Sequence, residues 1–270
     1  MRIGLVIHVG RPEPAAFARS FADAVEAAGH EVVGDKDTAD LLGRDLHGAD
    51  PEIVVASGGD GTVLAAVREA LALDVPVLAF NLGTIGFLAD AEPSDLDRVV
   101  DAITRGQLSE KRRMTIVAHL ENGTSMIGIN DVVVEKIESQ RLVSLAVAVD
   151  GEDFLTYRAD GLVSATSTGS TAYTFSAGGP LVDPAIEALL LTPVAAHSLF
   201  DRTLVLPPSS VITIRVATDR PVRVSIDGLE AGTLKQGEAV EVLRGDRPAR
   251  FVSLDDHTFP ATVKRKFRLS

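Results

Sequence analysis

The chain has 270 residues, a formal net charge of −12, no cysteine, no tryptophan and aromatic residues at 4%. Its length suits about one and a half to two ordinary domains, and the absence of cysteine excludes disulfides, thiolate metal sites and cysteine nucleophiles. The acidic balance and the scarcity of stacking side chains exclude a general nucleic-acid binder.

The opening run Met1-Arg2-Ile3-Gly4-Leu5-Val6-Ile7-His8-Val9 is short, apolar and without a small-residue cleavage pattern. It reads as a first β-strand rather than a signal peptide. No window approaches the ~20 apolar residues that span a bilayer, so a soluble cytoplasmic protein without a membrane partner is expected. Over residues 14–28, Phe17, Phe21, Val25 and Ala28 share one helical face, and Gly29 supplies a stop. Residues 53–56 form a continuous apolar run ending in glycines, as a buried parallel strand does. A helix over 62–73, a strand over 75–80 and a helix over 96–104 follow. Strands alternating with helices imply a parallel sheet covered on both faces.

From about Met114 the pattern changes. Short alternating segments at 115–120, 131–135, 142–149, 162–165, 210–217, 222–226 and 239–243 are separated by turns such as Asp150-Gly151, Asp227-Gly228 and Gly245-Asp246. This predicts a β-rich second domain with one or two helices between Thr171 and Leu191. The boundary falls near 105–112, where charged residues interrupt the apolar pattern. The basic tail Lys264-Arg265-Lys266-Phe267-Arg268 reads as a solvated or domain-bridging end.

The strand at 53–56 runs into Ser57-Gly58-Gly59-Asp60-Gly61-Thr62 and then a helix. Three glycines within four positions remove the Cβ atoms that hold a ligand off the backbone. They also permit positive φ, so that N–H groups can converge on an anion. The helix N-terminus adds its dipole at the same point, and a polyphosphate is the natural occupant. A carboxylate there costs electrostatic energy. Asp60 becomes useful where it binds Mg²⁺ or accepts a proton from an attacking hydroxyl. The same residues also make an ordinary strand-to-helix turn with Asp60 near the N-cap. The pattern is neither G-x-x-x-x-G-K-[ST] nor G-x-G-x-x-G.

A second unusual stretch starts at Asp160-Gly161 and reaches Thr166-Ser167-Thr168-Gly169-Ser170-Thr171-Ala172-Tyr173. Its hydroxyls can cap a helix or hydrogen-bond a sugar or base, with Gly169 and Ala172 leaving room for a flat ring. Tyr173 either lies against that ring or fills core. Asp160 needs solvent, an ion-pair partner or a ligand N–H. Asn130-Asp131, ahead of three valines, suits adenine edges and ribose hydroxyls and is equally a common turn. The six histidines are scattered and read as structural or surface residues, His197 near the candidate site excepted.

Gly58-Gly59-Asp60-Gly61-Thr62, Asn81-Leu82-Gly83-Thr84-Ile85-Gly86-Phe87-Leu88, Asn130-Asp131, Asp160-Gly161, Thr168 to Tyr173, Ser176-Ala177-Gly178-Gly179-Pro180 and Lys266-Phe267-Arg268-Leu269 occur in this order over most of the chain. In that combination the sequence resembles the NAD kinase family. The Gly-Gly-Asp-Gly element alone also resembles lipid kinases and phosphofructokinases, whereas the set together is specific.

The resemblance implies an α/β N-terminal Rossmann-like domain over 1–108 carrying the phosphate loop, and a β-rich, β-sandwich-like NAD-binding domain over 109–250. Residues 251–270 would return to the first domain, with the active site in the cleft between the two. It implies transfer of the γ-phosphoryl group of ATP, or a phosphoryl group of polyphosphate, to the 2′-hydroxyl of the adenosine ribose of NAD, giving NADP. Mg²⁺ or another divalent cation would arrive with ATP, and the chain would act as a homodimer or homotetramer. Asp60 would be the catalytic carboxylate, and Gly58, Gly59, Asp60, Gly61 and Thr62 would hold the donor phosphates. The NAD site would take Gly61, Phe87, Asn130 and Asp131, the last two at the adenosine, with Asp160 near the nicotinamide amide. Arg158, Thr168, Thr171, Ala172, Tyr173, Ser176 and Ala195 would complete its lining.

Four positions depart from the family pattern. Asp131 stands where many members have Glu, Ser167 replaces a frequent Pro, Ala65 sits where many carry a basic residue, and Leu229 follows Asp227-Gly228 where a polar residue is common. Two other functions compete. A non-catalytic NAD(P)-binding regulator would not need Asp60. A lipid kinase of the diacylglycerol-kinase type would need an apolar or basic membrane face, which this acidic chain does not offer.

Overall fold

Runs of β-branched residues with no polar alternation open the chain, and they can be satisfied only as strands covered on both faces. The computed structural model describes the chain except residues 9, 84, 85, 255–257 and 270. It divides into two units, Met1–Arg112 with Ala249–Ser270, and Arg113–Pro248.

In the first unit β1 (Arg2–Ile7) leads through α1 (Pro12–Ala27), β2 (Glu31–Val33) and α2 (Lys36–Leu42) to β3 (Ile53–Gly58). Next come α3 (Asp60–Leu73), β4 (Val77–Asn81), α4 (Leu96–Arg105) and β5 (Ser109–Arg113). β1 pairs in parallel with β2 and β3, and β3 with β4. Every residue of β3 and β4 is buried, which explains their unbroken apolar runs. α1 turns Ala18, Phe21, Ala22 and Val25 inward, where they join Ile3, Leu5, Val55 and Phe80 in one core. The Phe17 and Phe80 rings meet at 4.7 Å, Phe21 and Phe80 at 5.4 Å. Short α2 forms without a long apolar period because Asp35 caps it, accepting from the Thr38 N–H at 2.9 Å, and Gly43 closes it at φ 69°.

The second unit contains β6 (Ile116–Leu120), β7 (Ser125–Gly128), β8 (Asp131–Lys136), β9 (Val143–Val149), β10 (Glu152–Ala159) and β11 (Gly161–Thr166). A 3₁₀ turn (Thr168–Thr171) and the single-turn α5 (Tyr173–Ser176) come next. The chain then runs through β12 (Leu189–Val194), β13 (Leu204–Leu206), β14 (Ile212–Val216), β15 (Val222–Ile226), β16 (Leu229–Leu234) and β17 (Ala239–Arg244). Two six-stranded antiparallel sheets result, ordered β10-β9-β14-β17-β6-β7 and β13-β12-β11-β8-β15-β16. Leu145, Ile214 and Val242 of the first sheet share a core with Val134, Leu162 and Val224 of the second, which makes the unit a β-sandwich. Val133, Val163, Ala165 and Leu190, on the far side of the second sheet, pack against Val182, so β11 reads as a continuous apolar run.

β18 (Ala249–Ser253) then enters the first unit's sheet beside β4, Phe251 opposite Val77, and α6 (Phe259–Phe267) ends the described chain. That sheet is ordered β2-β1-β3-β4-β18-β5, so residues 109–112 and 249–253 belong with residues 1–105. One sequence expectation needs correction. The helices expected between 171 and 191 reduce to the single turn of α5, because Gly178, at φ 85°, and Gly179-Pro180 stop it. Leu189-Leu190-Leu191 is strand β12 instead. The basic tail, expected as a solvated or bridging end, forms a helix with no buried residue, capped by the Thr258 side chain, which accepts from the Ala261 N–H. Among the described residues no helix is long and apolar enough to cross a membrane.

Candidate active site

The first unit contributes the glycine loop between β3 and α3. Gly59 is the N-cap of α3, with extended backbone and no side-chain cap, and Asp60 is the first helical residue rather than the cap. None of Gly58, Gly59 and Gly61 uses positive φ, so the expected left-handed convergence of N–H groups does not occur. The glycines supply space instead. A Cβ on Gly58 would lie 2.3 Å from the Thr62 hydroxyl oxygen, whereas Cβ atoms on Gly59 and Gly61 would meet nothing within 4 Å. Gly59, Gly61, Thr62 and Ala65 border an open depression of about 440 Å³ that His8 and Arg11 also line.

The Asp60 carboxylate is tied to the 81–88 segment. One oxygen accepts from the Phe87 N–H at 3.2 Å and the other from the Leu88 N–H at 3.3 Å. Gly86 is required there, since its Cβ would fall 2.0 Å from an Asp60 carboxylate oxygen. Thr84 and Ile85 of this motif lie outside the described residues. The Phe87 ring packs on Phe267 at 6.1 Å, and the Lys266 ammonium lies 5.5 Å from the Phe87 ring centre. Two separated motifs, 81–88 and 266–269, therefore meet beside the glycine loop.

The second unit assembles a different group. Asn130 and Asp131 lead into β8 and are buried, 8% and 5% exposed. The backbone N–H groups of Ile129, Asn130 and Asp131 all donate to the Asp227 carboxylate, at 2.9, 2.9 and 3.2 Å. Asp227 reaches them from the β15–β16 turn in a left-handed conformation, φ 47°. A Cβ on Gly128 would come 2.7 Å from that carboxylate. The hydroxyl-rich turn sits directly on this strand entry, since a Cβ on Gly169 would lie 2.0 Å from the Asn130 carbonyl oxygen. Burial first, then the Asp227 charge, push the Asp131 carboxyl up to about 7, against the opposing Tyr173 backbone N–H. The Asn130 side-chain carbonyl is buried without a hydrogen-bond partner among the described residues, an acceptor suited to an N–H arriving with a ligand.

Around this pair the hydroxyls divide. Thr166, Ser167, Ser170 and Thr171 donate to the main-chain carbonyls of Ile129, Ile186, Val182 and Thr168, so these four shape the turn. Tyr173 is 37% exposed and is not core, whereas Tyr157 is fully buried. The Tyr173 hydroxyl is pushed up by burial and by the charges of Glu135, Asp160 and Asp131. Asp160 has one of the partners open to it, since its carboxylate pairs with the Lys136 ammonium. Arg158 lies two residues before it, and its carbonyl accepts from the His197 N–H at 2.7 Å. Ala195 stands near by at φ 48°. His197 thus enters through its backbone. Ser176 closes α5, and Thr168 is buried at the turn.

Residues 3–108 match the model of the ATP-NAD kinase N-terminal domain, and residues 129–254 that of the ATP-NAD kinase C-terminal domain. The chain is 39% identical over 264 residues to the NAD kinase of Nocardia farcinica, covering 96% of this chain and 78% of that one. The chain belongs to the ATP-NAD kinase family. It is also 41% identical over 223 residues to NAD kinase 2 of Streptomyces avermitilis, with 81% and 74% of the two chains covered. The crystal structure of yeast NADH kinase complexed with NADH matches it at a TM-score of 0.89 and 26% identity, over all of this chain and 88% of that one.

For an ATP-NAD kinase, two residues were not among those the motifs singled out as site residues. Asp227 reads in the sequence as half of an Asp-Gly turn. Its action on residues 129–131 spans nearly a hundred positions, and local pattern carries no trace of it. Arg11 lies between the first strand and the first helix, where an arginine is unremarkable until the fold brings it to the same depression as Gly59.

Proposed function

We propose that this ATP-NAD kinase transfers the terminal phosphoryl group of ATP to the 2′-hydroxyl of the adenosine ribose of NAD, producing NADP and ADP. The observation that carries the reading is the Asp60 carboxylate, held by two backbone N–H groups at the mouth of a loop whose Gly59 and Gly61 leave open space. In the reaction the ribose oxygen forms a bond to the γ-phosphorus and the bond from phosphorus to the bridging oxygen of ADP breaks. The hydroxyl proton passes to Asp60. A sugar hydroxyl is a weak nucleophile, so most of the acceleration must come from holding it in line with the donor.

On the acceptor side, Asn130 and Asp131 hold the adenosine and Asp160 the nicotinamide amide. Tyr173, Ser176, Arg158 and Ala195 complete the lining with Thr168, Thr171 and Ala172, and Gly61 and Phe87 contribute from the first unit. The reading requires that these residues and Asp60 act on one bound nucleotide. The donor set at Asp60 is a single hard carboxylate, which fits a divalent cation keeping its other ligands on phosphate and water. When bound, that cation neutralises charge on the β- and γ-phosphate oxygens. Among the described residues no group of three His, Asp or Glu side chains is placed to hold a metal by itself.

Purified protein incubated with NAD, ATP and Mg²⁺ tests the proposal by the appearance of NADP. Inorganic polyphosphate in place of ATP decides the donor, and NADH in place of NAD decides the acceptor's redox state. Tight NAD binding with no NADP from any donor would make the chain a regulator instead. The same reading has it working in the cytoplasm as a homodimer or homotetramer, which light scattering on the purified protein tests.

A further inference from the structure

ATP brings a run of negative charge to a loop that answers it with backbone N–H groups and a helix dipole of roughly half a charge. The loop adds the Asp60 carboxylate at the same point, on a chain of net charge −12. Burying that much like charge requires a cation. Helix α3 provides none at the depression, because the side chains it presents beyond Gly61 are the hydroxyl of Thr62 and the methyl of Ala65, and Arg68, a turn further on, is not part of the wall.

Arg11 lines the same depression. Its backbone is extended, φ −131° and ψ 143°, at the N-cap of α1, and its side chain is not spent on capping that helix. The guanidinium lies beside Gly83, where an added Cβ would stand 3.6 Å from Nη2. Gly83 opens the 81–88 segment whose far end binds Asp60 through the Phe87 and Leu88 N–H groups. The depression is thus lined both by a residue carrying a planar, permanently charged fork matched to phosphate oxygens and by the glycine loop.

We propose that Arg11 binds the phosphate chain of the donor at the glycine loop, supplying from the β1–α1 connection the cation that position 65 lacks. The inference rests on the phosphotransfer reading above. Arg11→Ala is expected to raise KM for ATP by roughly 10- to 100-fold, the loss of one charge-assisted contact, with KM for NAD within about twofold of the parent. Arg11→Lys falls between, since an ammonium keeps the charge and loses the fork. Because position 65 faces the same depression, Ala65→Arg introduced into the Arg11→Ala protein restores ATP affinity.

An Arg11→Ala protein of parental melting temperature with unchanged KM for ATP overturns the inference. So does one in which KM for NAD rises equally, or one whose effect is matched by Arg68→Ala. If the parent protein makes no NADP from any donor, the phosphotransfer reading fails by itself. Calorimetric titration of Mg·ATP into parent and Arg11→Ala proteins then judges the Arg11 contact separately, and equal affinities sink it.

Discussion

Two backbone N–H groups fix the direction of the Asp60 carboxylate, at 3.2 and 3.3 Å, while it remains an acceptor for a hydroxyl proton. Asp60→Asn preserves shape and removes the basic oxygen. Turnover is expected to fall by about 10²–10⁴-fold, or about 3–5 kcal/mol of barrier, with NAD affinity unchanged in a binding titration. Asp131 behaves differently because burial and Asp227 raise its carboxyl from 3.8 to about 7. On the proposed reading its ionised form would accept from a ribose hydroxyl, so NAD affinity should increase as pH rises through about 7. Stability should move the other way. Between the two values the folded state holds a proton that the unfolded chain has lost, so stability declines as pH rises through that window and levels off above about 7. Asp131→Asn removes the decline, and its urea midpoint should gain on the parent's more at pH ~8 than at pH ~5. An identical pH dependence in the two proteins would contradict the assignment.

The 81–88 segment is the element on which the Asp60 geometry depends, since it supplies both N–H donors and approaches the carboxylate too closely for any side chain at 86. Gly86→Ala would force a Cβ to within 2.0 Å of the Asp60 oxygen, so the carboxylate must move. A displacement on that scale near reacting atoms costs on the order of 100-fold. The expected result is a loss in turnover with NAD affinity retained, which steady-state kinetics beside a binding titration will separate. Helix α6 bears on the same segment through Phe267 against Phe87. In the sandwich, β10 inserts Tyr157 fully into the core, where its hydroxyl has no hydrogen-bond partner. Removing a buried hydroxyl that bonds to nothing recovers its desolvation cost. Tyr157→Phe should therefore raise the denaturation midpoint, by about 1 kcal/mol or more in stability.

At the scale of the molecule, each unit has its own apolar core, and the second is inserted into the first along the chain. The sheet of the first unit is completed by a strand made last: β18 lies between β4 and β5. A chain ending at Pro248 therefore lacks an inner strand of that sheet and leaves the hydrogen-bonding edges of β4 and β5 unpaired. Hydrogen exchange on such a chain should show amide protection lost across β3 and β4 and kept across β8, β11 and β15. Equal loss in both units would mean that the sandwich depends on the first unit to fold.

Local chemistry made much of this legible. The buried parallel strands, the amphipathic α1 and the alternating strands of the sandwich each follow from apolar spacing within a dozen residues. The Gly58–Asp60–Gly61 loop, the Asn130-Asp131 pair and the Asp160 to Tyr173 stretch were recognisable because each is contiguous. Elements without such a period were not. β5 is Ser-Glu-Lys-Arg-Arg and becomes a strand only because β18 lies beside it, and the triple leucine of β12 is compatible with helix or strand until β11 pairs with it. The same division runs through the site. Residue types and order along the chain sufficed to single out a candidate carboxylate and candidate nucleotide-binding stretches, since their chemistry is intrinsic to the side chains. Folding alone decided that Asp227 would hold the main chain of 129–131, that Gly86 would press on Asp60 and that Arg11 would line the same depression as Gly59. Those contacts join residues far apart in the chain, and no short-range pattern encodes a distance that only packing sets.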